Sequence, residues 1–231
     1  YFENKNVIKN KKISALVTTG PTREYLDPVR YISNESSGKQ GYEIALAFSK
    51  LGIKTTLVTG PSNINFSKDL RVKKITTADE MMNRVKESLP VDIAVCAAAV
   101  SDFKPLNKNK KKIKKDFFKA SAIELKENND ILEFLGKNNK ARPTVVVGFS
   151  AESENLIQNS IIKLKKKYCD LIIANDISKK NIGFNVDYNK VSIINKKGNI
   201  QNIPRNKKSL IASIIAKKIV NEFLIDDKNI N

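Results

Sequence analysis

The sequence contains no histidine and no tryptophan among its 231 residues, and it contains only two cysteines. Without histidine, the chain can build neither a Ser-His-Asp or Cys-His catalytic arrangement nor a zinc site with histidine ligands. Any proton transfer must therefore use Lys, Asp, Glu, Tyr, water or a substrate. Cys96 and Cys169 lie in or beside apolar runs, which predicts two small buried side chains in a reducing compartment such as the cytoplasm.

Acidic residues are also scarce, because 24 Asp and Glu stand against 42 Lys and Arg, a formal net charge of +18. Such a charge is compatible with nucleic-acid binding. Lysine is nevertheless spread along the whole chain with abundant Asn and Ile, which indicates compositional bias and an anion-friendly surface. We find no signal peptide and no apolar run that could span a bilayer. We therefore expect neither nucleic acid nor a membrane as partner, with a Lys-rich nucleic-acid-binding module as the alternative.

Runs with strand character alternate with runs whose apolar residues recur at helical spacing. We predict strands at residues 13–19, 53–59, 71–75, 92–100, 144–148 and 171–174, and helices at residues 42–51, 78–88, 131–137, 156–168 and 210–223. This alternation predicts the α/β class with a doubly wound, mostly parallel, Rossmann-like sheet. Residues 191–195 and 200–203 flank a turn and predict a small β-hairpin extension. We assign residues 1–11 to a linker remnant, 12–225 to one domain and 226–231 to a tail.

The stretch at residues 27–41 joins the first strand to the first helix and combines hydroxyl, glycine and charged residues. A loop of this kind aims backbone N–H groups and a helix N-terminus at an anion. It is not a Walker A loop, because Ser33 occupies the position of the first glycine and Gln40 that of the Ser or Thr. No Gly-x-Gly-x-x-Gly fingerprint follows any strand. A dehydrogenase-like domain is the alternative fold, and a nicotinamide titration would decide it.

Polar or aromatic residues follow several predicted strands, namely Thr22, Asn34, Asp102, Phe149 and Asn175. The carboxyl ends of parallel strands meet at one edge of the sheet, where open α/β sheets bind ligands. We therefore expect these side chains to cluster along that edge.

Seven short motifs occur in order and together resemble the bacterial phosphopantothenoylcysteine synthetase family. They are Gly-Pro-Thr-Arg-Glu (20–24), Asp-Pro-Val-Arg-Tyr-Ile-Ser-Asn (27–34), Ser-Ser-Gly-Lys-x-Gly (36–41), Ala-Ala-Ala-Val-Ser-Asp-Phe (97–103), Lys-Ile-Lys-Lys (112–115), Gly-Phe-Ser-Ala-Glu (148–152) and Ala-Asn-Asp (174–176). Each motif alone is weak, but the ordered set is specific and covers roughly residues 12–225. In many bacteria this domain is the C-terminal half of a protein that also carries a flavin-dependent decarboxylase domain.

The resemblance implies a ligase of coenzyme A biosynthesis that joins 4′-phosphopantothenate to L-cysteine. It implies CTP and Mg²⁺, an acyl-cytidylate intermediate, and release of CMP and pyrophosphate. It also implies a homodimer in which Arg30 and Asn34 serve the partner's site. An ATP-using homologue stays open, because the sequence does not decide the choice of base. The sequence also identifies no group that would deprotonate the cysteine amine.

The resemblance assigns roles residue by residue. It implies catalytic roles for Asn34, whose amide would donate to the developing oxyanion, and for Lys112, on a lid that folds over the intermediate. The positions matched to nucleotide binding are Gly20, Thr22, Ala98, Asp102, Lys112, Asn129, Asp130, Ile131, Leu132, Phe149, Lys163 and Lys167. The positions assigned to the phosphate-bearing substrate are Arg30, Asn34, Ser36, Ser37, Gly38 and Lys39. Asp102 and Asp130 are the candidates for holding Mg²⁺. Asn129 departs from the family, many of whose members have Pro there.

Overall fold

The computed structural model describes residues 12–114, 122–137, 140–178 and 186–224. Outside these described residues lie the predicted linker at residues 1–11, the predicted tail at residues 226–231 and Lys115, the last residue of the lysine strip (Lys-Ile-Lys-Lys, residues 112–115).

Within the described ranges, the chain forms an eight-stranded sheet and five helices. The strands are β1 (Ser14–Thr19), β2 (Arg23–Tyr25), β3 (Tyr31–Ser33), β4 (Lys54–Thr59), β5 (Arg71–Lys74), β6 (Ile93–Cys96), β7 (Phe103–Pro105), β8 (Leu125–Glu127), β9 (Val145–Glu152), β10 (Leu171–Asp176), β11 (Tyr188–Asn195) and β12 (Ile200–Lys207). The helices are α1 (Lys39–Lys50), α2 (Ala78–Lys86), α3 (Ile131–Lys137), α4 (Leu156–Lys166) and α5 (Lys208–Phe223). Among these helices, none combines the length and the apolar character needed to cross a bilayer.

The main sheet has the strand order β12-β11-β10-β9-β6-β1-β4-β5. The six strands from β10 to β5 run parallel, whereas β11 and β12 form the antiparallel extension that the sequence predicts. Two short antiparallel hairpins, β2–β3 and β7–β8, lie outside this sheet. The doubly wound α/β prediction is therefore confirmed.

Alternate residues of the central strands pack into two apolar layers, one on each face of the sheet. Ala15 and Val17 of β1 belong to the layer that contains α1 and α5, whereas Leu16 belongs to the layer that contains α2, α3 and α4. This alternation follows from the period of two in a strand. Because both faces are covered, the parallel strands read as nearly continuous apolar runs.

Strand β1 lies where the sheet changes its direction of winding. The chain proceeds from β1 to β4 and β5 on one side, and from β6 to β9 and β10 on the other. The loops that leave the carboxyl ends of β1 and β6 therefore diverge and open a crevice between them.

Several element bounds differ from the sequence prediction for local reasons. Helix α1 begins at Lys39 instead of residue 42, because Gly38 adopts a left-handed conformation with φ of 74° and turns the loop directly into the helix. Strand β9 runs on to Glu152, because residues 148–152 pair with β10. Helix α5 begins at Lys208, two residues before the predicted start at residue 210. Helix α2 begins at Ala78, as predicted, and Thr77 and Glu80 form a capping box at its N-terminus.

Candidate active site

Two clefts adjoin at the carboxyl edge of the sheet. The larger has a volume of about 940 Å³ and the smaller about 560 Å³. Five side chains that line both clefts form their common border: Ala98, Val100, Asp102, Phe149 and Lys163. A ligand longer than one cleft can therefore extend across this border from one cleft into the other.

The larger cleft combines an apolar wall with ionic groups at its rim. Phe149 of β9 and the buried side chains of Ile131 and Leu132, at the start of α3, supply the apolar part. Asn129 and Asp130 precede α3 and also line the cleft. An aromatic face beside aliphatic side chains suits the flat, partly apolar surface of a nucleoside.

Lys167, a predicted nucleotide ligand, is engaged in two ion pairs. Its Nζ lies 2.9 Å from Oδ2 of Asp130 and 2.8 Å from Oε2 of Glu133. Burial opposes the charge, but the hydrogen bonds that Nζ donates to Glu133 and Asp130 outweigh it and raise the pKa of Lys167. Lys167 thus ties α4 to α3 and lines the larger cleft at the same time.

Asp130 caps helix α3 and has both carboxylate oxygens occupied. Oδ1 accepts the backbone N–H of Glu133 at 2.8 Å, and Oδ2 pairs with Lys167. Asp102 is exposed and lines both clefts. In the described part of the chain, no group of three or more Asp, Glu or Cys side chains could hold a metal ion. Of the two predicted magnesium ligands, Asp130 is thus already engaged within the protein through both carboxylate oxygens.

The smaller cleft lies at the N-terminus of helix α1. Ser36, Ser37, Gly38 and Lys39 all line it, as the sequence predicts for one phosphate-binding loop. The Thr19 hydroxyl donates to the Gly38 carbonyl at 2.7 Å and fixes this loop against β1. The N-cap residue Gly38 has no side chain, and the Ser37 hydroxyl oxygen accepts the backbone N–H of Lys39 at 3.5 Å. The first turn of α1 contains no acidic residue, so no carboxylate within that turn offsets the positive end of the helix dipole.

Asn34 also reaches the edge of the sheet. Its Nδ2 donates to the backbone carbonyl of Val100 at 2.9 Å, two residues before Asp102. Only one of the two Nδ2 hydrogens is needed for this bond. The structure thus places Asn34, Asp102 and Phe149 around the smaller cleft.

Lys112 and Arg30 line neither cleft. Nη2 of Arg30 lies 3.0 Å from Oδ2 of Asp27 and also donates to the carbonyl of Ile113. The buried Asp27 carboxylate accepts the backbone N–H groups of Val29 and Arg30, both at 2.8 Å, and of Ile113 at 3.2 Å. Burial acts against the charge, but these backbone hydrogen bonds lower the pKa of Asp27 to about 2. The end of the lysine strip is thereby attached to the β2–β3 hairpin.

Gly20 and Thr22 do not line the clefts either; they support the backbone that carries Asp102. The Gly20 carbonyl accepts the N–H of Ala99 at 2.9 Å. The Thr22 side chain is fully buried, and its hydroxyl accepts the N–H of Ser101 at 3.0 Å. We interpret both residues as positioning the loop after β6.

The two cysteine thiols are poor candidates for nucleophiles. Burial raises the pKa of the Cys96 thiol far above its ordinary value and that of the Cys169 thiol to about 12. Both thiols therefore stay protonated at neutral pH. Neither forms a disulfide.

Sequence reasoning missed one functional candidate and left another without a role. Lys208 lines the smaller cleft and is buried, but one lysine at a helix start has no distinctive signal in so Lys-rich a chain. Asn175 could be recognised as a residue at the end of a strand, and it lines the same cleft. Burial distinguishes these residues from their neighbours, and burial is a tertiary property.

Comparison with known proteins gives one consistent family. The model of the "DNA/pantothenate metabolism flavoprotein C-terminal domain" family matches residues 9–223. The chain is 43% identical over 221 residues to the "Coenzyme A biosynthesis bifunctional protein CoaBC" of Borreliella burgdorferi, covering 94% of this chain and 54% of that protein. It is 37% identical over 224 residues to a "Cysteine/Cysteine sulfinic acid decarboxylase" of an unknown prokaryotic organism, covering 95% of this chain and 62% of that protein. The chain thus spans little more than half the length of these relatives.

A solved structure covers the same region. The crystal structure of the C-terminal domain of a coenzyme A biosynthesis bifunctional protein CoaBC superposes with a TM-score of 0.76 and 32% identity. The match covers 91% of this chain and 95% of that one. The similarity therefore extends over nearly all of that domain.

Proposed function

We propose a function from one premise: this chain belongs to the DNA/pantothenate metabolism flavoprotein C-terminal domain family. We propose that it ligates 4′-phosphopantothenate to L-cysteine with CTP, through an acyl-cytidylate, in coenzyme A biosynthesis. The similarity to the C-terminal domain of a CoaBC protein supports this proposal. The observation that carries it is the pair of clefts, one suited to a nucleoside and one to an anion, that share Asp102, Phe149 and Lys163.

The proposed reaction has two steps. A carboxylate oxygen of 4′-phosphopantothenate attacks the α-phosphorus of CTP, and the bond to the β-phosphate breaks to release pyrophosphate. The cysteine amine then attacks the acyl carbon of this mixed anhydride, and CMP leaves with the bonding electron pair while the amine loses a proton. The nucleophiles belong to the substrates, so the protein contributes positioning and charge stabilisation. A chain without histidine is compatible with this chemistry.

We assign the nucleoside to the larger cleft, against Phe149 and the start of α3. The second Nδ2 hydrogen of Asn34 would donate to the oxygen that becomes negative at the acyl carbon. Lys163 lies on the border of the two clefts, where it would neutralise the charge of the α-phosphate. Lys112 would act from the lid, and Asp102 would be the protein's contact to Mg²⁺, which assists by neutralising phosphate charge.

We propose that a second copy of the chain covers the surface beside the clefts. Exposed apolar side chains lie on the two contacting hairpins, with Val29 58%, Tyr31 42%, Phe103 47% and Leu125 46% accessible. A cluster of this kind marks an interaction surface. Arg30 lies on the same β2–β3 hairpin, so a homodimer would bring it close to the partner's site. Fusion to a flavin-dependent decarboxylase domain is proposed for the natural protein by analogy with its bifunctional relative.

The test is a nucleotide assay with purified chain, CTP, Mg²⁺, 4′-phosphopantothenate and L-cysteine. We expect pyrophosphate and CMP to be released only when 4′-phosphopantothenate is present, and the ligated product to require cysteine. ATP in place of CTP tests the choice of base. Pyrophosphate release without 4′-phosphopantothenate, or carbon dioxide release from cysteine, would contradict the proposal.

A further inference from the structure

Gly148 lies behind the larger cleft, on the face of the sheet that α2, α3 and α4 cover. It belongs to a row of residues that are in register on neighbouring strands: Thr18, Cys96, Gly148 and Ile172. Thr18 and Cys96 line the larger cleft, whereas Ile172 is fully buried. Gly148 is the position in this row without a side chain, so the space above its backbone is open to another residue.

The side chain of Leu132, at the start of α3, fills that space. A Cβ atom added to Gly148 would lie 2.6 Å from Cδ2 and 3.3 Å from Cδ1 of Leu132, and 2.8 Å from Cδ1 of Ile172. Two of these distances are shorter than Cβ atoms in proteins tolerate. Leu132 is 8% accessible and lines the larger cleft. Its place against the sheet therefore depends on the bare backbone of Gly148.

Helix α3 is held against the end of α4. The two backbones approach so closely that a Cβ atom at Gly136 would overlap the carbonyl oxygen of Lys167. Nζ of Lys167 also pairs with Asp130, which precedes α3, and with Glu133 of α3. These contacts restrain the helix as a whole, so a side chain would move before the helix does.

Leu132 is the side chain that an overlap at Gly148 would displace. Ile172 has no accessible surface, and a close-packed interior leaves little room for an enclosed side chain to rotate. Leu132, by contrast, borders the open space of the larger cleft. A side chain at position 148 would therefore push Leu132 into the cleft.

We propose that Gly148 is a positioning residue for the larger cleft. The absence of a side chain at this position lets Leu132 lie against β9 and keeps the cleft wide enough for a nucleoside. Gly148 acts through Leu132, since it does not itself line the cleft. Only the identity of the ligand rests on the proposed function; the packing of Leu132 on Gly148 does not.

The first test is isothermal titration with CTP alone and with 4′-phosphopantothenate alone. We expect Gly148→Ala to weaken CTP about 10-fold, because overpacking moves Leu132 into the nucleoside's place. The affinity for 4′-phosphopantothenate should change less than about threefold, because Leu132 does not line the smaller cleft. Truncation of Leu132 removes the overlapping atoms. The double variant Gly148→Ala/Leu132→Ala should therefore bind CTP within about threefold of Leu132→Ala alone.

A matched control overpacks the same apolar layer away from the clefts. Ala94 of β6 is buried in that layer and lines neither cleft. Ala94→Val should lower the urea midpoint of unfolding, as Gly148→Ala does, but should change the CTP affinity less than about threefold.

Urea denaturation without ligand tests the packing alone. The loss of stability caused by Gly148→Ala should be smaller in the Leu132→Ala background than in the unmodified chain, because the two residues are in contact. This measurement needs neither nucleotide nor turnover. It therefore distinguishes a failure of this proposal from a failure of the proposed function, which the ligase assay tests.

Several results would overturn the proposal. They are unchanged CTP affinity in Gly148→Ala, equal losses for the two ligands, and additive losses in the double variant. A loss of CTP affinity in Ala94→Val as large as that in Gly148→Ala would also overturn it, because overpacking in general would then be the cause. If Gly148→Ala alone does not fold, the double variant should fold, and failure of both to fold would overturn the proposal.

Discussion

Oδ2 of Asp27 accepts the backbone N–H of Ile113 at 3.2 Å, although 86 positions separate the two residues in the chain. This contact joins the loop of the β2–β3 hairpin to the end of the described lysine strip. The buried Asp27 carboxylate thus holds a distant segment of backbone, a role that the neighbouring sequence does not predict. The same carboxylate orients Arg30, whose guanidinium contacts both ends of the connection.

We predict that Asp27 makes the free energy of unfolding depend on pH in the acidic range. Because its pKa is about 2 in the folded protein and 3.8 ordinarily, its contribution is complete above about pH 4 and disappears as the pH falls towards 2. Urea denaturation between pH 6 and pH 2 should show Asp27→Asn to be less stable than the unmodified chain at pH 6. The difference should narrow as the pH falls below 4. A difference that is constant down to pH 2 would contradict the depressed pKa.

We predict that Asn34→Asp impairs ligation and preserves the fold. The substitution removes a donor and places a negative charge beside a site where negative charge develops. Loss of one such donor typically costs about 100- to 1,000-fold in kcat. Steady-state kinetics should show that loss, with a melting temperature close to that of the unmodified chain. Asn63→Asp, in an exposed loop away from both clefts, is the control. Full activity of Asn34→Asp would remove the proposed role.

We predict that Lys167 contributes to both stability and nucleotide binding. Lys167→Met leaves Asp130 and Glu133 without their shared cation, in a place where only 15% of the lysine side chain is accessible. We expect a loss of about 1–2 kcal/mol in the free energy of unfolding, measured by urea denaturation. Lys165→Met, on the exposed side of α4, should cost less than about 0.5 kcal/mol. If Lys167 also contacts nucleotide, the KM for CTP should rise in Lys167→Met alone; an unchanged KM assigns it a purely structural role.

We predict that the exposed apolar surface of the two hairpins is a dimer interface. Val29→Glu and Phe103→Glu should convert a dimer to monomers in sedimentation velocity experiments at micromolar concentration, because buried unpaired charge is costly. Ile162→Glu, on α4, changes a residue of similar exposure outside the hairpins and should leave the dimer intact. An unmodified chain that sediments as a monomer at tens of micromolar would contradict the interface.

Much of the fold follows from local signals in the sequence. The apolar runs of β1, β4 and β9, the capping box of α2 and the turn at Gly198 each reflect steric or hydrogen-bonding preferences of a few neighbouring residues. The hairpins β2–β3 and β7–β8 were missed, because each strand has only three residues and no clear alternation. Their pairing depends on partners supplied by the rest of the chain.

The sequence by itself determined the order of strands and helices, and hence that Asn34, Asp102 and Phe149 would lie near carboxyl ends of strands, because such patterns act over a few residues. Only the tertiary structure decided which of many similar lysines has which environment: Lys167 in two ion pairs, Lys208 buried at a cleft, Lys112 outside both clefts. The physical reason is that burial and charge pairing depend on distances between residues remote in the chain. Those distances are set by the packing of the whole sheet and its helices.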